Sequence, residues 1–203
     1  MNSRFHLRKT HFTEKLLHYH HFNEYDLFSM KNDAVTKINK WVSTDEYDFL
    51  DAEYCRYTEP EDPILHRRRI YFNKKKSFYC IEDVIKGYKS HNFSLYFHFS
   101  LLDLDSIDGE IIIAKAKNNN VLVVMPIRNN ETSSDIFNEW TSESYGLKSS
   151  TPVLRLSQSN GSSAVFFNVL YVVKEKDNLQ DSIKLGKSLK REYDLFVYDH
   201  EEK

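Results

Sequence analysis

The sequence predicts an all-β protein, an antiparallel β-sandwich, preceded by a short irregular or helical arm and followed by a short helix. Apolar and polar residues alternate in several short runs spaced roughly ten residues apart. Turn-forming segments, DSIDG, KNNN and QSNGSS, separate some of these runs, and no long helical pattern lies between them. We therefore divide the chain into an arm, residues 1–33, and a sandwich domain, residues 34–203.

Composition excludes several classes of protein. The 203 residues suit one domain with its own core, and only 5 Gly and 4 Pro argue against disorder. A net charge of -2 provides no basic field for nucleic acid, and no apolar run reaches the length of a membrane span. The start has no apolar signal segment, which predicts a cytoplasmic protein as written. A truncated N-terminus would allow a periplasmic, cell-envelope or secreted location.

The arm is unusually rich in histidine. It holds five of the nine histidines, at His6, His11, His18, His20 and His21. Imidazoles one helical turn apart can share a metal ion, but no carboxylate or cysteine recurs among them at a fixed spacing. We favour a solvated arm over a metal site.

Cys55 and Cys80 form neither a disulfide framework nor a zinc spacing, and we favour two free thiols over one bridge.

The predicted strands begin near residue 34. In order they are AVTKINKWVS, YDFLDAEY, ILHRRRIYF, SFYCIEDVI, NFSLYFHFS, GEIIIAKA, NVLVVMPI, PVLRLSQ and SAVFFNVLYVV. The segment from Asn178 to Lys190 predicts a short helix, and YDLFVYD forms a separate apolar run after it.

The run ILHRRRIYF places charged groups in an apolar strand. Its alternation puts five residues on one face: Ile64, His66, Arg68, Ile70 and Phe72. A buried guanidinium requires a carboxylate, and Glu82 and Asp83 follow on the next strand. A hairpin through NKKK would bring one of these acids within reach of Arg68. An internal ion pair and a ligand site both remain open, and we favour the ion pair.

Two histidines are candidates for chemistry. His66 shares the face of Arg68, and His98 lies beside Tyr96 on the polar face of its strand. A lone histidine on an apolar face is usually a hydrogen-bonded core residue, because metal binding and proton transfer need companions. The spacing alone does not bring His66 and His98 together.

Four blocks of sequence, in order, resemble one family. They are KINKWVSTDEYDFLDAEY, DPILHRRRIYFNKKKSFYCIEDVIKG, HNFSLYFHF and WTSESYGLKSSTPVLRLSQ. Together they are similar to the C-terminal β-sandwich domain of the heparinase II/III-like polysaccharide lyases, from about Val35 to Val173.

The resemblance implies a carbon–oxygen lyase that cleaves uronic-acid polysaccharides by β-elimination. In the family a Tyr and a His move protons, an Asn, Arg or His neutralises the carboxylate, and a helical toroid supplies most of the cleft. Members often hold a divalent metal, zinc or calcium, on His and Asp ligands, which makes His66 a weak candidate ligand here. The candidate cleft-lining or metal-lining residues are His66, Arg68, Tyr57, Asp83 and His98.

The chain also departs from the family pattern. It reads AEYCRY, ending at Tyr57, where the family has a His and a Gly before the tyrosine. These 203 residues contain no counterpart of the toroid or its catalytic Tyr, so we expect the chain to be inactive alone. A separately encoded toroid would be a partner.

Two alternatives remain open. One is a non-catalytic carbohydrate-binding or interaction module for acidic polysaccharide, with Arg67, Arg69 and Lys74–Lys76 as the cations that meet uronates. A solvated strand face and turn explains the same charges. The other is a structural protein without a ligand.

Overall fold

A computed structural model describes residues 35–56, 62–100, 103–107, 111–115, 120–127, 131–142, 144–174 and 178–201. The predicted arm, residues 1–33, lies outside the described residues. Within the described ranges, no helix is long and apolar enough to cross a membrane.

The described residues form nine strands and one helix. The strands are β1 Val35–Ser43, β2 Tyr47–Arg56, β3 Ile64–Asn73, β4 Phe78–His98, β5 Asp103–Ile107, β6 Ile111–Lys115, β7 Asn120–Ile127, β8 Ser133–Thr141 and β9 Ser149–Lys174, and the helix is α1 Leu179–Glu201. The strand order is β1-β2-β3-β4-β9-β7-β6-β5, with β8 also on β9, and the pairs are antiparallel. The all-β, antiparallel prediction is confirmed.

Two long strands double this sheet into a sandwich. The first part of β4 pairs with β3 and with the end of β9, and its second part pairs with the start of β9. Between the two parts the register shifts, since Lys86 pairs with Ser163 but His91 pairs with Gly161. The second layer therefore consists of the end of β4, the start of β9 and β8, folded over the first layer.

The sequence prediction was wrong about these two strands. It divided β4 at KGYKSH and β9 at QSNGSS, because Gly, Ser and Asn usually mark turns. In the structure both strands bend there and keep pairing with each other through an irregular register. Asn160 takes a positive φ of 59° at this point, which asparagine tolerates better than most residues.

Asp62 holds the bend of β4. Its Oδ1 accepts hydrogen bonds from the backbone N–H groups of Tyr88, at 2.9 Å, and Lys89, at 3.1 Å. Its Oδ2 lies 2.7 Å from Nε2 of His91, without hydrogen-bond alignment. Burial by itself raises the pKa of Asp62, but the two backbone donors and His91 outweigh it and hold the pKa below its usual value.

A separate buried cluster lies on each face of the first layer. The interlayer core comprises Ile81, Ile85, Phe93, Leu95, Phe97, Phe99, Ile112, Ala114, Val124, Leu154, Leu156, Ala164, Phe166 and Leu170. The helix-side core comprises Phe49, Tyr71, Phe78, Cys80, Ile111, Val121, Val123, Met125, Phe167, Val169, Tyr171, Ile183, Leu189 and Tyr193. Because α1 supplies the last three of these, the molecule is a two-layer sandwich with a helix on one side.

The ends of two predicted features also need correction. The short helix and the separate run YDLFVYD are one helix of 23 residues, because Tyr193, Phe196 and Val197 continue its apolar face onto the sheet. The turn predicted at DSIDG begins inside β5, and β8 was not predicted at all. The side chains of β8 are largely exposed, so its sequence lacks the apolar alternation of a half-buried strand.

The two cysteines are free thiols in different surroundings. Cys55 is partly buried, whereas Cys80 is fully buried in the helix-side core, where burial raises the pKa of its thiol. We expect a thiol reagent to label Cys55 quickly in the native protein and Cys80 only after unfolding. Mass spectrometry of the labelled peptides checks this, and equal labelling rates would contradict the described packing.

Candidate functional site

Three of the predicted residues meet in the interior. His66 and Arg68 lie on β3, Asp83 lies on β4, and the strand register places Arg68 directly opposite Asp83. Their side chains point from the first layer towards the second, as the alternation in ILHRRRIYF predicts. We call these residues the His66 cluster. The predicted ion pair between Arg68 and an acid of the following strand is present.

The Asp83 carboxylate is the centre of the His66 cluster. Its Oδ1 lies 2.8 Å from Nε2 of His66 and 2.7 Å from Nε of Arg68, and its Oδ2 lies 3.5 Å from Nη2 of Arg68. The Asp83 side chain is 0% exposed, His66 is 5% exposed and Arg68 is 20% exposed. A carboxylate can only accept these bonds, so His66 donates from Nε2. His66 and Arg68 therefore both bind the same buried carboxylate.

Burial and charge oppose each other in this cluster. Burial lowers the pKa of the Arg68 guanidinium, and the charge and hydrogen bonds of Asp83 oppose that shift. The Tyr54 ring packs edge-on against His66, with the ring centroids 5.1 Å apart. These contacts fix the orientation of the imidazole and exclude solvent, which is the environment of a structural ion cluster.

The His66 cluster does not fit a divalent-metal site. The Nε2 atom of His66 faces Asp83 directly, and Arg68 already supplies a cation to the same carboxylate. A second cation there would be repelled by the guanidinium. Among the residues that the structure describes, no group of three or more His, Cys, Asp or Glu side chains surrounds a common point. The zinc or calcium ion that the family resemblance implies stays a prediction for the chain.

The structure does not bring His98 to the cluster. His98 lies at the end of β4 in the second layer, opposite Val153, with its ring centroid 6.3 Å from that of Tyr96. Its neighbour Phe97 points into the interlayer core, so His98 points away from it. Tyr57, the remaining candidate, lies outside the described residues.

Arg67 and Arg69 belong to a second charged network, on the helix side of the sheet. Asp51 forms a hydrogen-bonded ion pair with Arg67 and lies 3.5 Å from Nε of Arg69. Glu82 accepts hydrogen bonds from Arg69 and from the hydroxyl of Tyr193, both at 3.1 Å. Burial by itself raises the pKa of Asp51, but its contacts with Arg67, Asn39 and Arg69 hold the pKa below its usual value.

The cations favoured from the sequence therefore already have partners. The Arg69 side chain is only 13% exposed, so the expectation that it faces water freely is wrong. In the NKKK turn, Lys74 pairs with Asp48, Lys75 with Glu46, and Lys76 with Glu192. The turn is a set of ion pairs and not an open cationic patch.

Comparison with known proteins identifies the family. The model of the family "Heparinase II/III-like, C-terminal" matches residues 19–176, most of the chain. The chain belongs to the heparinase II/III-like family. The match begins within the predicted arm, earlier than Val35, where the sequence resemblance begins. No curated protein matches the chain.

Solved structures of family members share the fold. Heparan sulfate lyase HepC from Pedobacter heparinus aligns with a TM-score of 0.58 and 18% identity, over 70% of this chain and 22% of the lyase. A mutant of that lyase aligns with a TM-score of 0.59 and 16% identity, over 86% of this chain and 28% of the mutant. Heparinase III aligns with a TM-score of 0.58 and 17% identity, over 69% of this chain and 21% of heparinase III. The chain thus spans between 21% and 28% of the length of these lyases.

Proposed function

We propose that this domain is the sandwich wall of a lyase-type cleft, which binds uronic-acid-containing polysaccharide and does not cleave it alone. The observation that carries this proposal is the family match over residues 19–176. Two of the aligned structures are heparan sulfate lyases, which makes a sulfated uronic-acid polysaccharide the first ligand to test.

The chemistry of β-elimination argues against turnover by these residues alone. The reaction needs a base at C5 of the uronate, a group that neutralises the carboxylate and an acid at the leaving oxygen, held together at one substrate. The donating nitrogen of His66 and the Nε of Arg68 are both bound to Asp83, in a cluster that is mostly out of contact with solvent. A helical toroid, encoded separately or elsewhere in the same protein, would supply the missing groups.

A non-catalytic binding module is the second candidate function. Large side chains that lie open to solvent favour it, since Trp140 is 66% exposed, Tyr88 is 79% exposed and Tyr145 is fully exposed. Aromatic faces of this kind are common in binding surfaces. Both proposals predict binding of acidic polysaccharide, and they differ in whether a toroid partner restores cleavage.

Binding is tested by titrating the purified chain with heparan sulfate. We expect binding that weakens steadily as salt rises, because the contacts are between charges, and no binding to neutral dextran. Isothermal titration calorimetry at several salt concentrations measures both. Equal affinity for dextran, or no affinity for heparan sulfate at low salt, would overturn the proposed ligand.

A further inference from the structure

We propose a specific saccharide site on the helix side of the sheet, at the end of β1 to β4 that α1 leaves uncovered. We call it the Lys86 cleft, and we infer that it binds a short acidic oligosaccharide through Lys86, Lys37 and the ring of Tyr88. The inference rests on the proposed function, because it names the place where that ligand binds.

The Lys86 cleft is a cavity of about 570 Å³, within the usual size range of small-ligand sites. Lys37, Cys55, Leu65, Lys86, Gly87 and Tyr88 are among the residues that line it. Strand pairing explains this grouping, because Cys55 pairs with Leu65 and Leu65 pairs with Lys86 across neighbouring strands. The helix-side core, which α1 covers, lies further along the same strands, at Phe49, Tyr71 and Phe78.

Charge distinguishes this cleft from the helix-side arginines and from the NKKK turn. The arginines of the helix-side network and the lysines of the NKKK turn are bound to carboxylates. Lys86 is exposed and forms no ion pair with any residue that the structure describes. The Lys37 side chain is 67% exposed and forms an ion pair with Glu53, which also lines the cleft. An incoming anion would therefore gain a counter-charge at Lys86 without breaking an existing pair.

The shape and the aromatic ring favour a saccharide over a single small anion. Tyr88, 79% exposed, presents a flat apolar face beside the two ammonium groups, on which the C–H face of a sugar ring can stack. A smaller cavity of about 160 Å³ shares Glu53, Leu65 and Lys86 with the cleft and continues to Arg67. Because the two cavities share these lining residues, a ligand longer than one sugar would extend from one towards the other, with a uronate carboxylate or a sulfate at Lys86.

The first test measures affinity for a size-defined heparan sulfate hexasaccharide by calorimetry. We expect Lys86→Ala to weaken binding about five- to tenfold, a typical loss for one charge-assisted contact, and Lys86→Ala with Tyr88→Ala to weaken it further. Lys75→Ala is the matched control, because Lys75 is an exposed lysine of the NKKK turn that pairs with Glu46. This variant should change the affinity less than about twofold. Thermal unfolding should be unchanged in each variant, since these side chains are exposed.

The second test uses the Cys55 thiol, which lines the cleft. At a hexasaccharide concentration near the Kd of the unaltered protein, labelling of Cys55 should be slowed in the unaltered protein and slowed much less in Lys86→Ala.

Three outcomes separate the ideas. The cleft is supported if the hexasaccharide slows labelling of Cys55 in the unaltered protein and if Lys86→Ala binds the hexasaccharide more weakly. Unchanged affinity in the Lys86→Ala, Tyr88→Ala double variant overturns the cleft and leaves the proposed function standing. No binding of the hexasaccharide or of full-length heparan sulfate to any form overturns the proposed function, and the cleft with it.

Discussion

Replacing Asp83 with asparagine should destabilise the fold by about 3–5 kcal/mol, because it removes the buried negative charge that Arg68 and His66 both contact. Asp83 is 0% exposed and accepts hydrogen bonds from both Arg68 and His66. Urea unfolding of the unaltered protein and of Asp83→Asn, followed by circular dichroism, measures the difference.

The matched control is an ion pair of the same residue types on the surface. Asp135 pairs with Arg155 at 2.9 Å, but the two side chains are 51% and 38% exposed. Asp135→Asn should therefore cost less than about 1 kcal/mol. Equal losses for the two aspartates, or a loss below about 1 kcal/mol for Asp83→Asn, would mean that the His66 cluster is not a buried charge centre.

Replacing Tyr193 with alanine is expected to have a similarly large effect, about 3–5 kcal/mol, because its ring joins α1 to the sheet. The ring is buried, and its centroid lies 5.0 Å from that of Phe167 and 6.1 Å from that of Tyr71. Removing it leaves a cavity in the helix-side core. Thermal and urea unfolding of Tyr193→Ala measure this loss.

Tyr193→Phe separates packing from hydrogen bonding. It keeps the ring and removes only the hydroxyl that donates to Glu82, and Arg69 still pairs with that carboxylate. We expect a loss of about 1 kcal/mol for the phenylalanine variant. If both variants lost the same amount, the hydroxyl and not the ring would hold the helix, contrary to the described contacts.

The sequence predicted the cluster best where local rules decide the structure. Alternation placed His66 and Arg68 on one face, and a hairpin through a short turn brought Asp83 opposite Arg68. The same rule could have found Asp51, since the antiparallel pairing of β2 with β3 places it opposite Arg69. The pairing of β2 with β3 was not considered in the sequence analysis, so Arg69 was expected to face water.

Longer-range features were not accessible in this way. Whether KGYKSH is a turn or a bend depends on β9, more than sixty residues away, continuing to pair beside it. The exposure of Arg69 depends on α1, whose Tyr193 reaches Glu82 across 111 residues of sequence. Lys86 and Tyr88 lay between two predicted strands, so the cleft they line could not be predicted.

The most direct test of the account follows binding and cleavage in one sample. The purified chain is incubated with heparan sulfate, the bound complex is measured, and ultraviolet absorbance reports any unsaturated product. We predict a bound complex and an absorbance that stays at the level of the protein-free control. Steady product formation by the chain alone, abolished in His66→Ala, would contradict the account.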